Sequence, residues 1–184
     1  DYPETSYVKD AEKKILDIGC GSGVLGECLT KGFIKYGLDT SLKAIKYASP
    51  FYDEMFHGIL EDAAYKDEFF DVIFCYHVIE HIPDPELFLK EVSRILKSNG
   101  QLILATPNFD SAMSRRYGDR YRMLHDPTHI SLFTDLSMSH FLDDFGYEVT
   151  EIDFPYFDTP YFTKDNLLKV LSLDQKISPP FYGN

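Results

Sequence analysis

Three glycines spaced by single residues, Gly19, Gly21 and Gly23, lie in Leu16-Asp-Ile-Gly-Cys-Gly-Ser-Gly23, directly after an apolar run and before an amphipathic one. Glycine at such a junction lets the backbone turn sharply and lets a ligand approach the main chain with no Cβ in the way. Gly21-Ser-Gly23-Val-Leu-Gly26 also satisfies G-x-G-x-x-G, the fingerprint of a dinucleotide turn. Asp39 stands 18 positions past Gly21, near the ~20 at which an acid accepts from ribose hydroxyls. Its carboxylate can take the 2′ and 3′ hydroxyls of any adenosine-like ligand, and it can cap the following helix at the same time.

Two histidine clusters and an arginine cluster also carry chemistry. His77-Val-Ile-Glu-His81 matches H-x-x-E-H, a zinc-peptidase pattern when both histidines share a helix. Pro83 and Pro85 follow at once and speak against an unbroken helix there. A looser set, His77, Glu80 and His81 around a divalent ion, is the second reading; the favoured one has Glu80 and His81 holding the turn, with no metal. His125 and His129 lie in an irregular segment together with Arg115, Arg116, Arg120 and Arg122. Guanidinium forks match carboxylate or phosphate, so these arginines read either as a solvated face or as a lid gripping an anionic small molecule.

The elements that must position these residues alternate strand with helix, the pattern of a parallel sheet covered on both faces. Strands are predicted at Ile15–Cys20, Ile34–Asp39, Met55–Gly58, Asp71–Tyr76 and Gln101–Thr106, with a sixth at Tyr147–Phe154. A helix is expected from Val24 to Lys31, and another from a Thr40 or Ser41 cap to Ala48, where Pro50 stops it. Asp84 caps a third helix with Pro85 at its first position, and Phe88, Val92, Ile95 and Leu96 mark its buried face. Asp135–Phe145 is a further helix ended by Gly146. A short helix is expected near Asp165–Leu173.

The 184 residues suit one domain, divided into an N-terminal remnant (1–14), a cofactor-binding core (15–106), a substrate lid region (107–134) and a C-terminal part (135–184). A net charge of −12 speaks against a surface that tracks phosphates, so no nucleic-acid partner is expected. Three cysteines form neither a disulfide framework nor a metal spacing, and no apolar run reaches the ~20 residues of a membrane span, which together suit a cytoplasmic protein. The oligomeric state is left open.

The glycine segment, with Asp17 two positions before the first glycine, resembles the first motif of class I S-adenosylmethionine-dependent methyltransferases. Phe70-Asp-Val-Ile-Phe-Cys-Tyr-His-Val-Ile-Glu-His-Ile-Pro-Asp-Pro85 resembles their fourth-strand signature, and Lys90–Thr106 their next motif. The likeness runs from Ile15 to Val149 and is similar to that of the O-methyltransferases of ubiquinone-biosynthesis type. It implies an α/β, doubly wound, Rossmann-like sheet, mostly parallel. No seventh strand is recognisable after Phe154, so either the chain is cut short or the sheet lacks one strand. It also implies S-adenosylmethionine as cofactor and S-adenosylhomocysteine as product. Asp17, Gly19, Cys20 and Gly21 would surround the methionine end, Asp39 and Thr40 the ribose, Leu60 and Glu61 the adenine. Cys75, Tyr76 and His77 would pass under the sulfonium. Ile59 stands where relatives often carry an adenine-binding Asp.

His125-Asp-Pro-Thr-His129 resembles the substrate-side segment of small-molecule methyltransferases. A hydroxyl acceptor must lose a proton during transfer, and histidine is the side chain suited to take it near neutral pH. His129 is the first candidate and His125 the second. The expected function is methyl transfer to a small-molecule acceptor at oxygen. A catalytically silent S-adenosylmethionine-binding module is the alternative, and an NAD-dependent oxidoreductase the more distant one.

Overall fold

The computed structural model describes residues 13–29 and 32–154. Their elements divide after Thr106 into two compact units.

The first unit is a five-stranded sheet in the order β3-β2-β1-β4-β5. Its strands are β1 (Lys13–Ile18), β2 (Phe33–Asp39), β3 (Glu54–His57), β4 (Phe70–Tyr76) and β5 (Leu96–Ala105). Every pairing is parallel. This is the open α/β arrangement expected, with the order reversing at β1, where such sheets bind ligands beyond their carboxyl ends. The central strands are buried on both faces: Ile15, Leu16, Ile18, Val72, Ile73, Phe74 and Cys75 all lie in the core.

Helices α1 (Val24–Cys28), α2 (Leu42–Ala48) and α3 (Pro85–Ile95) connect the strands. Asp84 caps α3 by accepting from the Leu87 amide at 2.9 Å, with Pro85 at the first helical position. Phe88, Leu89, Val92 and Ile95 form its buried stripe. Ser41 caps α2 by accepting from the Ala44 amide at 3.3 Å. The first helix is shorter than its sequence suggests. Lys35 on β2 donates to the carbonyls of Gly26 at 2.9 Å and Leu29 at 3.1 Å, so a cation closes α1 within two turns.

The second unit contains α4 (Ala112–Tyr117), α5 (Arg122–His125) and α6 (Asp135–Asp144). Thr134 caps α6 in a box with Ser137. Neither α4 nor α5 is long enough to show a period in sequence. The predicted sixth strand does not form. Val149, Ile152 and Phe154 remain 38%, 52% and 51% exposed, and apolar alternation makes a strand only where a neighbouring edge supplies burial and hydrogen bonds. The helix expected near Asp165–Leu173 lies outside the described residues. Among the described residues no helix is long and apolar enough to cross a membrane.

Candidate cofactor site

The parallel registers bring the carboxyl ends of the five strands level. Ile18 pairs with Leu38 and Cys75, Asp39 with His57, and Tyr76 with Ala105. Gly58, Asp39–Thr40, Gly19–Gly21 and Tyr76–His77 therefore follow one another along one end of the sheet.

The glycine turn is held from several sides. Gly19 and Cys20 both donate to the Leu38 carbonyl, at 2.8 and 3.0 Å. Gly19 has φ +73°, and a Cβ there would lie 2.4 Å from Val78 Cγ2, so no other residue fits without a shift. Gly21 has φ +53°, and a Cβ built on it would meet nothing nearer than the Gly19 carbonyl at 4.0 Å. The turn is thus tight underneath at Gly19 and open above Gly21, the shape a cradle for a bound group needs.

Asp39 ties the turn to β2. Its Oδ2 accepts from the Gly21 amide at 3.0 Å and its Oδ1 from the Ser41 amide at 2.8 Å. Each carboxylate oxygen keeps a second acceptor position, enough for the two hydroxyls of a ribose. The residues present therefore fit an adenosine-type cofactor. Thr40 is exposed, and its carbonyl is 3.0 Å from His57 Nε2.

Asp17 takes a different place from that of a side chain open to a ligand. It is 4% exposed, and Tyr52 donates a short hydrogen bond to its Oδ2. Burial pushes its carboxyl up from the ordinary 3.8 to about 7; the Tyr52 bond opposes the rise and the nearby Asp39 charge adds to it. Tyr52 went unmarked in the sequence because an aromatic residue after a helix-ending proline reads as packing. Cys20 is buried with it, and burial together with Asp17 and Asp39 pushes its thiol up to about 12. Cys75 is fully buried with its thiol also raised, so what it can offer at the strand end is main chain.

Of the two residues expected at the adenine, Leu60 is buried in a 3₁₀ turn over Leu60–Ala63 and Glu61 is exposed, as is Ile59. Tyr76 is half-buried and His77 exposed. His77 has φ +54°, a left-handed backbone that costs a non-glycine residue about 1–2 kcal/mol. It is held there by its amide, which donates to the Ala105 carbonyl at 2.9 Å, and by Glu80, whose Oε1 lies 3.2 Å from His77 Nδ1. Glu80 is buried and also accepts from Thr106 Oγ1 at 3.0 Å. Burial works to raise its carboxyl, but the His77 bond, its own backbone and Thr106 outweigh this and leave it below the ordinary carboxylate value. His77 and His81 do not share a helix, since only Ile79–His81 forms a 3₁₀ turn. The zinc-peptidase geometry is therefore not present.

A cavity of about 580 Å³ opens at the other end of the strands, lined by Lys13, Glu68, Asp71, Lys97 and Gly100. It is bridged by the Lys97–Asp71 ion pair at 2.8 Å and lies where the amino ends of β1 and β4 begin. It has no part of the glycine turn in its lining.

In the second unit, His129 donates through Nδ1 to the Met123 carbonyl at 2.8 Å, which leaves the lone pair of the neutral ring on Nε2. His125 ends α5 and is exposed. Of the arginines, Arg115 is paired with Asp110 at 2.5 Å, so its charge is already matched.

Residues 3–152 match the methyltransferase-domain family. The ubiquinone biosynthesis O-methyltransferase of Histophilus somni is 35% identical, over 53% of this chain and 46% of that protein. The chain spans about half the length of the curated relatives it matches. A methyltransferase solved in complex with the Trm112 methyltransferase activator of Haloferax volcanii superposes with a TM-score of 0.68 at 22% identity, covering 88% of this chain and 78% of that one. A SAM-dependent methyltransferase of Thermotoga maritima gives a TM-score of 0.62 at 25% identity, covering 75% and 65%. With the open glycine turn and the Asp39 carboxylate at the head of a parallel sheet, these likenesses agree on one result: the chain belongs to the methyltransferase-domain family, in the class I fold whose cofactor is S-adenosylmethionine.

Proposed function

We propose that the chain transfers the methyl group of S-adenosylmethionine to an oxygen atom of a small molecule. The observation that carries the cofactor half is Asp39, fixed by the Gly21 and Ser41 amides with an acceptor position to spare on each oxygen. Oxygen as the receiving atom is supported by the O-methyltransferase relatives at 35% and 34% identity.

Bound S-adenosylmethionine supplies an electrophilic methyl group on a sulfonium. The chain's own tasks are then to hold the ribose (Asp39, Thr40), to border the adenine (Leu60, Glu61), to hold the methionine end (Asp17, Gly19, Cys20, Gly21), and to border the sulfur (Cys75, Tyr76, His77). In-line transfer depends on alignment and the exclusion of water more than on any single side chain. The acceptor's proton is assigned to His129 first and His125 second, on imidazole chemistry.

Calorimetry with S-adenosylhomocysteine and NAD tests the cofactor half. Tight binding of S-adenosylhomocysteine, lost at least tenfold in Asp39→Ala, is the expected result, and tighter binding of NAD would overturn the assignment. Radiolabelled methyl transfer to pooled phenols and amines tests the rest. Label only on amines would move the chemistry to nitrogen, and none on either would leave a silent binding module. His129→Ala should lower turnover without changing S-adenosylhomocysteine affinity.

A further inference from the structure

We infer that Tyr52 is a positioning residue for the cofactor segment, because its one hydroxyl ties Asp17 on β1 to the first turn of α1 and so holds both ends of the glycine turn. This rests on the reading of that turn as the cofactor site.

Helix α1 starts without a side-chain cap of its own. The N-cap of α1 is Gly23, which has φ +87° and no side chain to accept from the helix's first amides. Nothing larger fits there, since a Cβ would lie 2.9 Å from Ala48 Cα and 2.9 Å from Phe51 Cδ2. A capping side chain would normally take the amide two or three residues into the helix. Gly26 holds the third position, and its amide donates instead to the Tyr52 hydroxyl at 3.1 Å. An amide can only donate, so the phenol accepts from Gly26 and keeps its proton for Asp17 Oδ2. Tyr52 thus acts as a cap delivered from elsewhere in the chain, and the cap is itself anchored to the strand that leads into the turn.

Packing fixes the clamp in place. Tyr52 is 8% exposed and clusters with Cys20 and Ala48, flanked by Phe51 and Met55. A Cβ at Gly26 would lie 2.6 Å from Tyr52 Cε2 and Cζ, so the glycine there is the space the ring occupies. Both hydrogen bonds are buried, and breaking either leaves an uncompensated polar group. The groups that face Asp17 are Tyr52, Asp39, Cys20 and Cys75. Of these only Tyr52 is hydrogen-bonded to it, and that bond favours its carboxylate form.

Tyr52→Phe keeps the ring and deletes both bonds. S-adenosylhomocysteine affinity is measured by calorimetry from about pH 6 to pH 9 for the wild type, Tyr52→Phe and Asp17→Asn. Asp17 leads into the turn proposed to hold the methionine end, so the wild type should bind more tightly as its carboxyl ionises, with the inflection near 7. Tyr52→Phe should bind at least tenfold more weakly at neutral pH and have its inflection displaced upward, while Asp17→Asn should show no inflection. Unchanged affinity in Tyr52→Phe, or a uniform loss with the wild-type inflection, would reduce Tyr52 to packing and overturn the inference. Hydrogen exchange at the Gly26 amide of the wild type needs no variant and tests the clamp alone. Protection supports it and free exchange overturns it, even if S-adenosylhomocysteine does not bind and the proposed function fails.

Discussion

Replacing Asp17 by Asn removes one titrating group while keeping an oxygen that can accept from Tyr52. Asp17 is 4% exposed, and burial raises its carboxyl from 3.8 to about 7 against the pull of the Tyr52 bond. A rise of roughly three pH units corresponds to about 4 kcal/mol at 1.36 kcal/mol per unit. The folded-state value lies above the unfolded one. Asp17 therefore contributes its full share to stability below about pH 4, and that share is lost as pH rises through about 7. Urea denaturation of both proteins at several pH values reads the difference directly. The stability of Asp17→Asn relative to wild type should climb by about 4 kcal/mol between pH 4 and pH 8 and then level off. The buried Asn amide adds a constant penalty of about 1–3 kcal/mol, which moves the offset and not the slope. A difference that stays flat within about 1 kcal/mol across that range would refute the idea that Asp17 is held in a desolvated site.

Gly26→Ala should destabilise the protein by about 1–2 kcal/mol, the overlap with Tyr52 and the Phe51 carbonyl outweighing the helix propensity gained; a lowered urea midpoint at unchanged m-value checks this. Glu80→Gln acts in the opposite pH direction to Asp17. The Glu80 carboxyl lies below its ordinary 4.5, so its stabilisation is present above that value and lost as acid carries the pH through the lower folded one. The variant should be weaker by about 1–3 kcal/mol at pH 7, and the deficit should shrink as pH is lowered below 4.5 in unfolding experiments across that range.

The strands were legible because a strand buried on both faces writes itself as a run of Ile, Leu, Val and Phe. Predicted and observed limits of β2 and β4 differ by one residue at the start and none at the end. Caps were legible for the same local reason: Ser41 and Asp84 each act within three residues of themselves. What was not legible depends on partners distant in the chain. The early end of α1 is made by Lys35, and the absence of a strand at Tyr147–Phe154 reflects burial that alternation alone cannot supply.

The candidate site divides along the same line. Asp39 was legible because its spacing from Gly21 is a property of the strand–turn–helix unit, and the contact with the Gly21 amide is formed within that unit. Asp17 was legible as a position and not as an environment. Its two-residue offset from Gly19 marks it as a motif acid, but its partner lies 35 residues away and reaches it only because α2 and the 3₁₀ turn after it fold back over the glycine turn. An acid in an open site would stay ionised at neutral pH, whereas this one, pushed to about 7, exchanges its proton there. The charge Asp17 carries is set first by burial, with the bond from a tyrosine that no motif contains pulling the other way. A chain that kept every motif residue but lost Tyr52 would still match the family, and it would hold that charge differently.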